Sequence, residues 1–221
     1  VLEPIWLDKH ETATRVRGRI ENVIDYAISC EYRSTANPAT NRALRAHLPK
    51  SSKIKKVKHH SALPYQEVPM LFNEIRNAKS ISQKALLLTI LTAKRSNEIR
   101  GARWDEFDFE SKVWSIPQDR MKNGKPHREP LSDEAIKFLL ELKSETTGNL
   151  KSILIFKSPY KHVKLSDMAM LEALKHLRPG VTVHGFRSSF RQWAAEQTNH
   201  GHHVCEMALA HTVLTNVESA Y

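Results

Sequence analysis

Between Thr12 and Glu31 the apolar residues Val16, Ile20, Val23, Ile24, Ala27 and Ile28 recur at helical spacing, with Arg15, Arg17 and Arg19 at the intervening positions. The pattern predicts one long amphipathic helix. Asn37-Pro38 interrupts the chain after it, ahead of a second short helical stretch around Leu44. From Ser82 to Ala93 the run SQKALLLTILTA is too uniformly apolar for a surface element, so a helix buried in a core is expected there. Val113 to Ile116 alternates as a strand does, and Met121 to Pro126 contains Asn123-Gly124, the strongest short-range hairpin signal in the chain. Ser132 offers an N-cap, with Asp133 and Glu134 in the first turn and Ile136, Leu139 and Leu140 on one face. Further helices are expected near 166–177, 184–197, 203–210 and 215–221. The fold class that follows is mainly α with a small antiparallel β-sheet, an α+β chain.

One segment breaks the pattern. Lys50 to His60 reads KSSKIKKVKHH, whose five lysines repel one another and bring too little apolar surface to pack. It is expected to be an exposed basic linker, over 49–61, between a domain at 1–48 and a domain at 62–221. A solvated loop fits this composition, and so does a strap that meets a polyanion. Charge over the whole chain points the same way, since 34 Lys and Arg against 24 Asp and Glu leave a net charge of +10. A polyanionic partner is expected, a trait shared with ribosomal proteins. No apolar run approaches the roughly 18 residues a membrane span needs, and the first residues do not read as a signal peptide. Two cysteines, Cys30 and Cys205, form no disulfide framework and are expected as free thiols in a reducing compartment, the cytoplasm. With seven glycines there is no Gly-rich phosphate loop, and ATP chemistry is unsupported.

Candidate chemistry sits in four short stretches. In VHGFRSSFRQW, Val183 to Trp193, His184 and Arg187 lie three apart on one helical face, with Phe186, Phe190 and Trp193 expected to anchor the other side in a core. In TAKRSNEIR, Thr92 to Arg100, Arg95 follows the buried helix and precedes a second helix expected to be capped by Ser96, while Glu98 can orient its neighbours. Lys122 stands just before the Asn-Gly turn, and LAHTVLTNVESAY carries His211 and Tyr221. Each is a weak signal alone, because turn lysines and helix-surface histidines are common. The cluster His200, His202, His203 and Cys205 lacks the paired spacing of a zinc site, so no metal is expected. Asp105, Glu106 and Asp108 are read as solvated charges around Trp104 and Phe107.

Taken in order, Arg95, Lys122, His184, Arg187, His211 and Tyr221 resemble the catalytic set of the tyrosine recombinases. LLLTILTAKRSNEIRGARW, RMKNGKPHREPLS, HGFRSSFRQWAAE and CEMALAH resemble the integrases of phages and genomic islands. The resemblance implies a site-specific recombinase that cuts and rejoins DNA through a 3′-phosphotyrosyl intermediate, without ATP, metal or other cofactor. Two guanidinium forks, Arg95 and Arg187, would clamp the scissile phosphate. His211 would add a hydrogen bond, Tyr221 would be the nucleophile, His184 its proton acceptor and Lys122 the donor to the leaving 5′ oxygen. Expected partners are double-stranded DNA at attachment sites, further copies of the chain as a homotetramer on DNA, and an excisionase or host DNA-bending protein. A monomer in solution is compatible with this. Arg15 and Arg19 of the first helix and Lys53, Lys55, Lys56 and Lys58 of the linker are the expected DNA contacts. The chain begins on Val1 and ends on Tyr221, so it is expected to be a fragment, without the family's amino-terminal arm-binding domain, the start of the core-binding domain and the tail that packs on a neighbouring protomer. Several positions depart from the family pattern. Glu129 stands where Val usually precedes Pro-Leu-Ser, and Leu214-Thr215-Asn216 replaces a Gly-Asn-Lys turn. The alternatives are a binding module that has lost catalysis, a topoisomerase of related chemistry, and a metal-dependent nuclease.

Overall fold

In a computed structural model that describes residues 2–44, 47–49, 61–146, 153–159 and 163–211, the chain forms two compact units, Val1–His59 and His60–Tyr221. The first is built on helices α1 (Glu3–Trp6), α2 (His10–Ser29) and α3 (Asn41–Leu44). Helix α2 is the long helix that the apolar spacing predicts. It ends in the left-handed residue Glu31 (φ 61°), where the N–H groups of Glu31 and Tyr32 close on the carbonyls of Ile28 and Ala27. Its polar face is less uniform than the spacing suggests. Arg17 is buried, donating to Glu21 Oε2 at 2.6 Å and to the Ala39 carbonyl at 2.9 Å, while Val23 is exposed. The loop after α2 is tied back by Asn37, whose Nδ2 donates to Asp25 Oδ1 at 2.6 Å and to the Glu21 carbonyl at 2.9 Å. The basic segment 50–60 lies outside the described residues.

The second unit contains α4 (Val68–Ile75), α5 (Ile81–Thr92), α6 (Ser96–Arg100), strands β1 (Phe107–Asp108), β2 (Val113–Ile116) and β3 (His127–Pro130), then α7 (Asp133–Ser144), α8 (Ala169–Leu177), α9 (Gly185–Gln197) and α10 (His202–Ala208). Helix α5 packs against α4, α6, α7 and α8, so Ala85, Leu86, Leu87, Leu88 and Thr89 are all buried and no face is left for solvent. That enclosure is what its uniformly apolar sequence predicts. Leu71, Ile75, Ile99, Trp114, Leu139, Phe156, Met170, Leu174 and Phe186 complete one core.

The sheet is antiparallel in the order β1-β2-β3, with Trp114 opposite both Phe107 and Glu129 and Ile116 opposite His127. The Asn123-Gly124 signal marks a turn, with Gly124 at φ 65°, but not a tight two-residue hairpin. A 3-10 turn at Gln118–Arg120 lengthens the connection between β2 and β3, so the turn sits at the tip of a loop spanning 117–126. Ser132 caps α7 by accepting from the Ala135 N–H at 3.2 Å. On α7 the buried face is Ala135, Leu139 and Leu142, and Leu140 is exposed, one position off the expected stripe. Glu106 is not a solvated charge. It pairs with Arg120 and accepts from the Trp114 indole at 3.0 Å, because the stack of Trp114 on Phe107 carries the indole N–H toward it. The segment expected as a helix at 215–221 lies outside the described residues.

Candidate active site

Two helices end on alanines forced into the left-handed conformation, and the site is built where those ends meet. Helix α5 stops at Ala93 (φ 51°), whose N–H closes on the Thr89 carbonyl at 2.8 Å. Helix α10 stops with Ala210 (φ 50°), the Ala210 N–H closing on Met207 and the His211 N–H on Glu206. This pair of bonds is the Schellman arrangement that a glycine would normally supply, and it turns His211 back over its own helix. Helix ends leave carbonyls without intrahelical partners and carry partial negative charge. Here buried cations meet them. Arg187 donates from Nη1 to the Ala93 carbonyl at 2.7 Å and from Nη2 to the Leu209 carbonyl at 2.6 Å, and Lys94 donates to the Ala208 carbonyl.

Arg187 therefore does not simply point outward from α9 as the sequence pattern suggests. It is buried, and it ties α9 to the ends of α5 and α10 while keeping Nη2 2.8 Å from His211 Nε2. Burial, then the charge of Arg95, push its pKa down to about 10, which still leaves it a cation at neutral pH. Of the aromatics expected to anchor α9, only Phe186 is buried; Phe190 is half-buried and Trp193 is exposed. His184 is the exposed residue at the start of α9, and its carbonyl accepts from the Arg187 N–H at 3.1 Å.

Arg95, not Ser96, is the cap residue of α6. Its backbone is extended, and Glu98 folds back to accept from the Arg95 N–H at 2.9 Å and from Nη1 at 3.0 Å. Glu98 is fully buried and orients the guanidinium of Arg95, as its position in the sequence suggests.

Two open clefts share this region. One, of about 510 Å³, is lined by His184, Arg187, Arg191, Glu206 and His211 among others. The second, of about 600 Å³, is lined by Arg95, Lys122, Asn123, Glu206, Ala210 and His211. Glu206 and His211 line both. Five of the six residues singled out from the sequence thus border adjoining clefts, and Tyr221 lies outside the described residues. Arg15 and Arg19 are exposed on α2, Arg15 paired with Glu11 at 2.5 Å, while Lys53, Lys55, Lys56 and Lys58 lie outside the described residues. Among the described residues no group of three or more His, Cys, Asp or Glu could hold a metal ion.

Three further residues at the site are not singled out by the sequence. Glu206 Oε2 lies 2.6 Å from His211 Nδ1, and Glu206 Oε1 accepts from Arg191 Nε at 2.7 Å. Lys94, buried beside Arg95, pairs with Glu129 at 2.6 Å. A signal for Arg191 is present, since it follows His184 and Arg187 at helical spacing on one face. Glu206 precedes His211 by five residues, and only the turn at Ala210 brings them together.

Residues 61–221 match the model of the phage integrase family, and residues 1–44 match that of the phage integrase central domain. The integrase of Enterobacteria phage P4 is 30% identical over 232 residues, covering 96% of this chain and 51% of the phage protein. The prophage integrase IntZ of Escherichia coli is 30% identical over 204 residues, covering 91% of this chain and 48% of that protein. The chain thus spans about half the length of these curated relatives. Among solved structures, a lambda integrase tetramer bound to a Holliday junction superposes with a TM-score of 0.69 at 18% identity, over 97% of this chain and 63% of that one.

Proposed function

The chain belongs to the phage integrase family, and from that premise we propose that it is the DNA-cutting and DNA-rejoining part of a site-specific tyrosine recombinase. The observation that carries the proposal is the convergence of Arg95, Lys122, His184, Arg187 and His211 on adjoining clefts. A phosphodiester attacked by oxygen gathers negative charge on its non-bridging oxygens, and fixed cations aimed at that charge lower the barrier. Arg95 and Arg187, each held by partners of its own, are pre-oriented for such a clamp, and His211 supplies a third contact. Tyr221 attacks phosphorus as its proton passes to His184. The bond from phosphorus to the 5′ oxygen breaks, and Lys122 protonates the leaving oxygen. The resulting phosphotyrosyl ester conserves the bond energy, so a second 5′-hydroxyl reseals the strand without ATP or metal.

The partners we propose are double-stranded DNA carrying attachment sites and three further copies of the chain around two duplexes, as lambda integrase forms on a Holliday junction. An excisionase or host bending protein would set direction. The net charge of +10 suits such a partner, and the bacterial cytoplasm is the proposed place of action. No helix among the described residues is long and apolar enough to cross a membrane. The test is to incubate the protein with the DNA that flanks its own gene, nicked close to each candidate cleavage position so that the short strand diffuses away. Covalent protein–DNA species at a defined position are expected in a denaturing gel. Their absence at every position would contradict the proposal.

A further inference from the structure

Glu206 and Arg191 belong to no part of the mechanism above, yet they hold His211 from behind. The chain of contacts runs Arg191 Nε to Glu206 Oε1 at 2.7 Å and Glu206 Oε2 to His211 Nδ1 at 2.6 Å. A carboxylate only accepts, so Nδ1 carries a hydrogen. On the other side of the ring, Nε2 faces Arg187 Nη2 at 2.8 Å, and a guanidinium only donates. Nε2 therefore presents its lone pair. That arrangement is a neutral imidazole with the wrong tautomer for its task, because a phosphate oxygen also only accepts. In this tautomer His211 gives a phosphate a hydrogen bond through Nε2 only after the ring has taken a second proton, at Nε2.

We propose that Glu206, anchored by Arg191, is the positioning residue that couples capture of the scissile phosphate to uptake of a proton at Nε2 of His211. The proposal rests on the recombinase reading. When the phosphate arrives, Arg187 Nη2 turns from His211 to a phosphate oxygen, and solvent supplies the proton that fills the vacated Nε2 lone pair. No covalent bond other than N–H forms. The charges facing the ring set the balance. Arg187 and His184 face it from α9, Arg95 from the junction before α6, and Lys122 from the β2–β3 loop. The fixed positive charges of Arg187, Arg95 and Lys122 disfavour a further positive charge on the ring, while His184 stays neutral as the proton acceptor. Glu206 opposes them, and His202 on α10 stands 3.8 Å from its other oxygen. The hydrogen bond with His211, and then Arg191, hold the Glu206 carboxyl below its ordinary value, so it is ionised at neutral pH. An incoming phosphodiester adds a negative charge and tips the balance toward the charged ring.

The test compares the parent with Glu206→Gln and Arg191→Gln. In the first variant the amide oxygen still accepts from Nδ1 but carries no charge. Single-turnover cleavage of a nicked duplex is followed over roughly pH 5 to 8, where an imidazole titrates. Glu206→Gln is expected to cleave at close to the parent rate at the acid end and to fall about tenfold behind at the basic end, a difference of about 1.4 kcal/mol. Arg191→Gln should move the same way by less, with both variants compared at saturating duplex so that a change in binding does not enter the rate. Profiles that stay parallel, whether lowered throughout or not at all, would overturn the coupling. Nitrogen spectra of the free protein, with His211 assigned from a His211→Gln variant, give a readout independent of cleavage. They should report the Nδ1–H tautomer in the parent, and an Nε2–H tautomer would overturn the proposal. If the parent forms no adduct at any pH, the recombinase reading fails, while the spectra still decide which ring nitrogen of His211 carries the hydrogen.

Discussion

Lys94 Nζ and Glu129 Oε2 lie 2.6 Å apart with both side chains buried, one at the end of α5 and the other on β3. Burial pushes the Lys94 ammonium below its ordinary pKa, and Glu129 is the largest influence resisting that shift. The acid expected from the sequence to depart from the family pattern thus has a buried partner of its own. Replacing Glu129 with Val leaves an ammonium buried without its countercharge, and should cost about 3–5 kcal/mol. Adding Lys94→Met should restore most of that stability. Urea unfolding of the parent, both single variants and the double variant measures the coupling, and losses that merely add would show that the two side chains do not act as a pair.

Arg95 and Arg187 should separate when each is changed to Lys. Both variants lose the guanidinium fork and with it cleavage, by ~3 kcal/mol in the barrier if each stabilises the phosphate as one charge donor does. Only Arg187 also bridges the Ala93 and Leu209 carbonyls. Its substitution should therefore lower folding stability by roughly 1.5–3 kcal/mol, while Arg95→Lys stays near the parent. Cleavage rates and unfolding midpoints measured on both variants check this. Equal stability losses would contradict the bridging role.

Most of the secondary structure is legible in the sequence because it rests on local signals. The uniform apolarity of 82–93, the alternation at 113–116 and the Ser132 cap each correspond to an observed element. Three of the expectations that fail share a cause, which is that a polar side chain is taken to seek water. Arg17, Glu106 and Arg187 are instead drawn inward by partners distant in sequence, namely the Ala39 carbonyl, Arg120 and the two helix-end carbonyls. Glu206 is illegible for a related reason, since its contact with His211 depends on a left-handed alanine that composition does not reveal. The candidate set Arg95, Lys122, His184, Arg187 and His211 is legible only through resemblance, because each motif alone is common.

The depressed Glu206 carboxyl also has a consequence for stability. Its folded pKa is below the unfolded value of 4.5, so the unfolded chain binds the proton more readily. The stability it contributes is present above that value and is lost as pH falls through the lower, folded one. Thermal unfolding should therefore separate the parent from Glu206→Gln at neutral pH and bring them together in acid. A gap that widens as pH falls would contradict the sign.

Lys53, Lys55, Lys56 and Lys58 are expected to meet phosphates. Changing all four to Gln should make the plot of log affinity against log salt shallower by about 0.9 for each phosphate no longer neutralised, or ~3 to 4 in all. Phosphate contacts carry no sequence information, so affinity should fall alike on specific and random duplexes. The composition predicts an exposed linker here, and charges on such a segment add little to folding, so the unfolding temperature should barely move. An unchanged salt slope on the same duplex would reduce the segment to a tether.

Everything proposed for the site turns on Tyr221 becoming covalently joined to DNA, and mass spectrometry of the trapped adduct decides it. The parent and Tyr221→Phe are each incubated with a nicked duplex, digested with protease and nuclease, and searched for a nucleotide-bearing peptide. Only the phenolic oxygen is removed in the variant, so duplex binding should persist. A phosphotyrosyl peptide containing Tyr221 is expected from the parent, and no adduct from Tyr221→Phe. A nucleotide on any other residue, or an adduct formed by the Phe variant, would contradict the assignment of Tyr221 as the nucleophile.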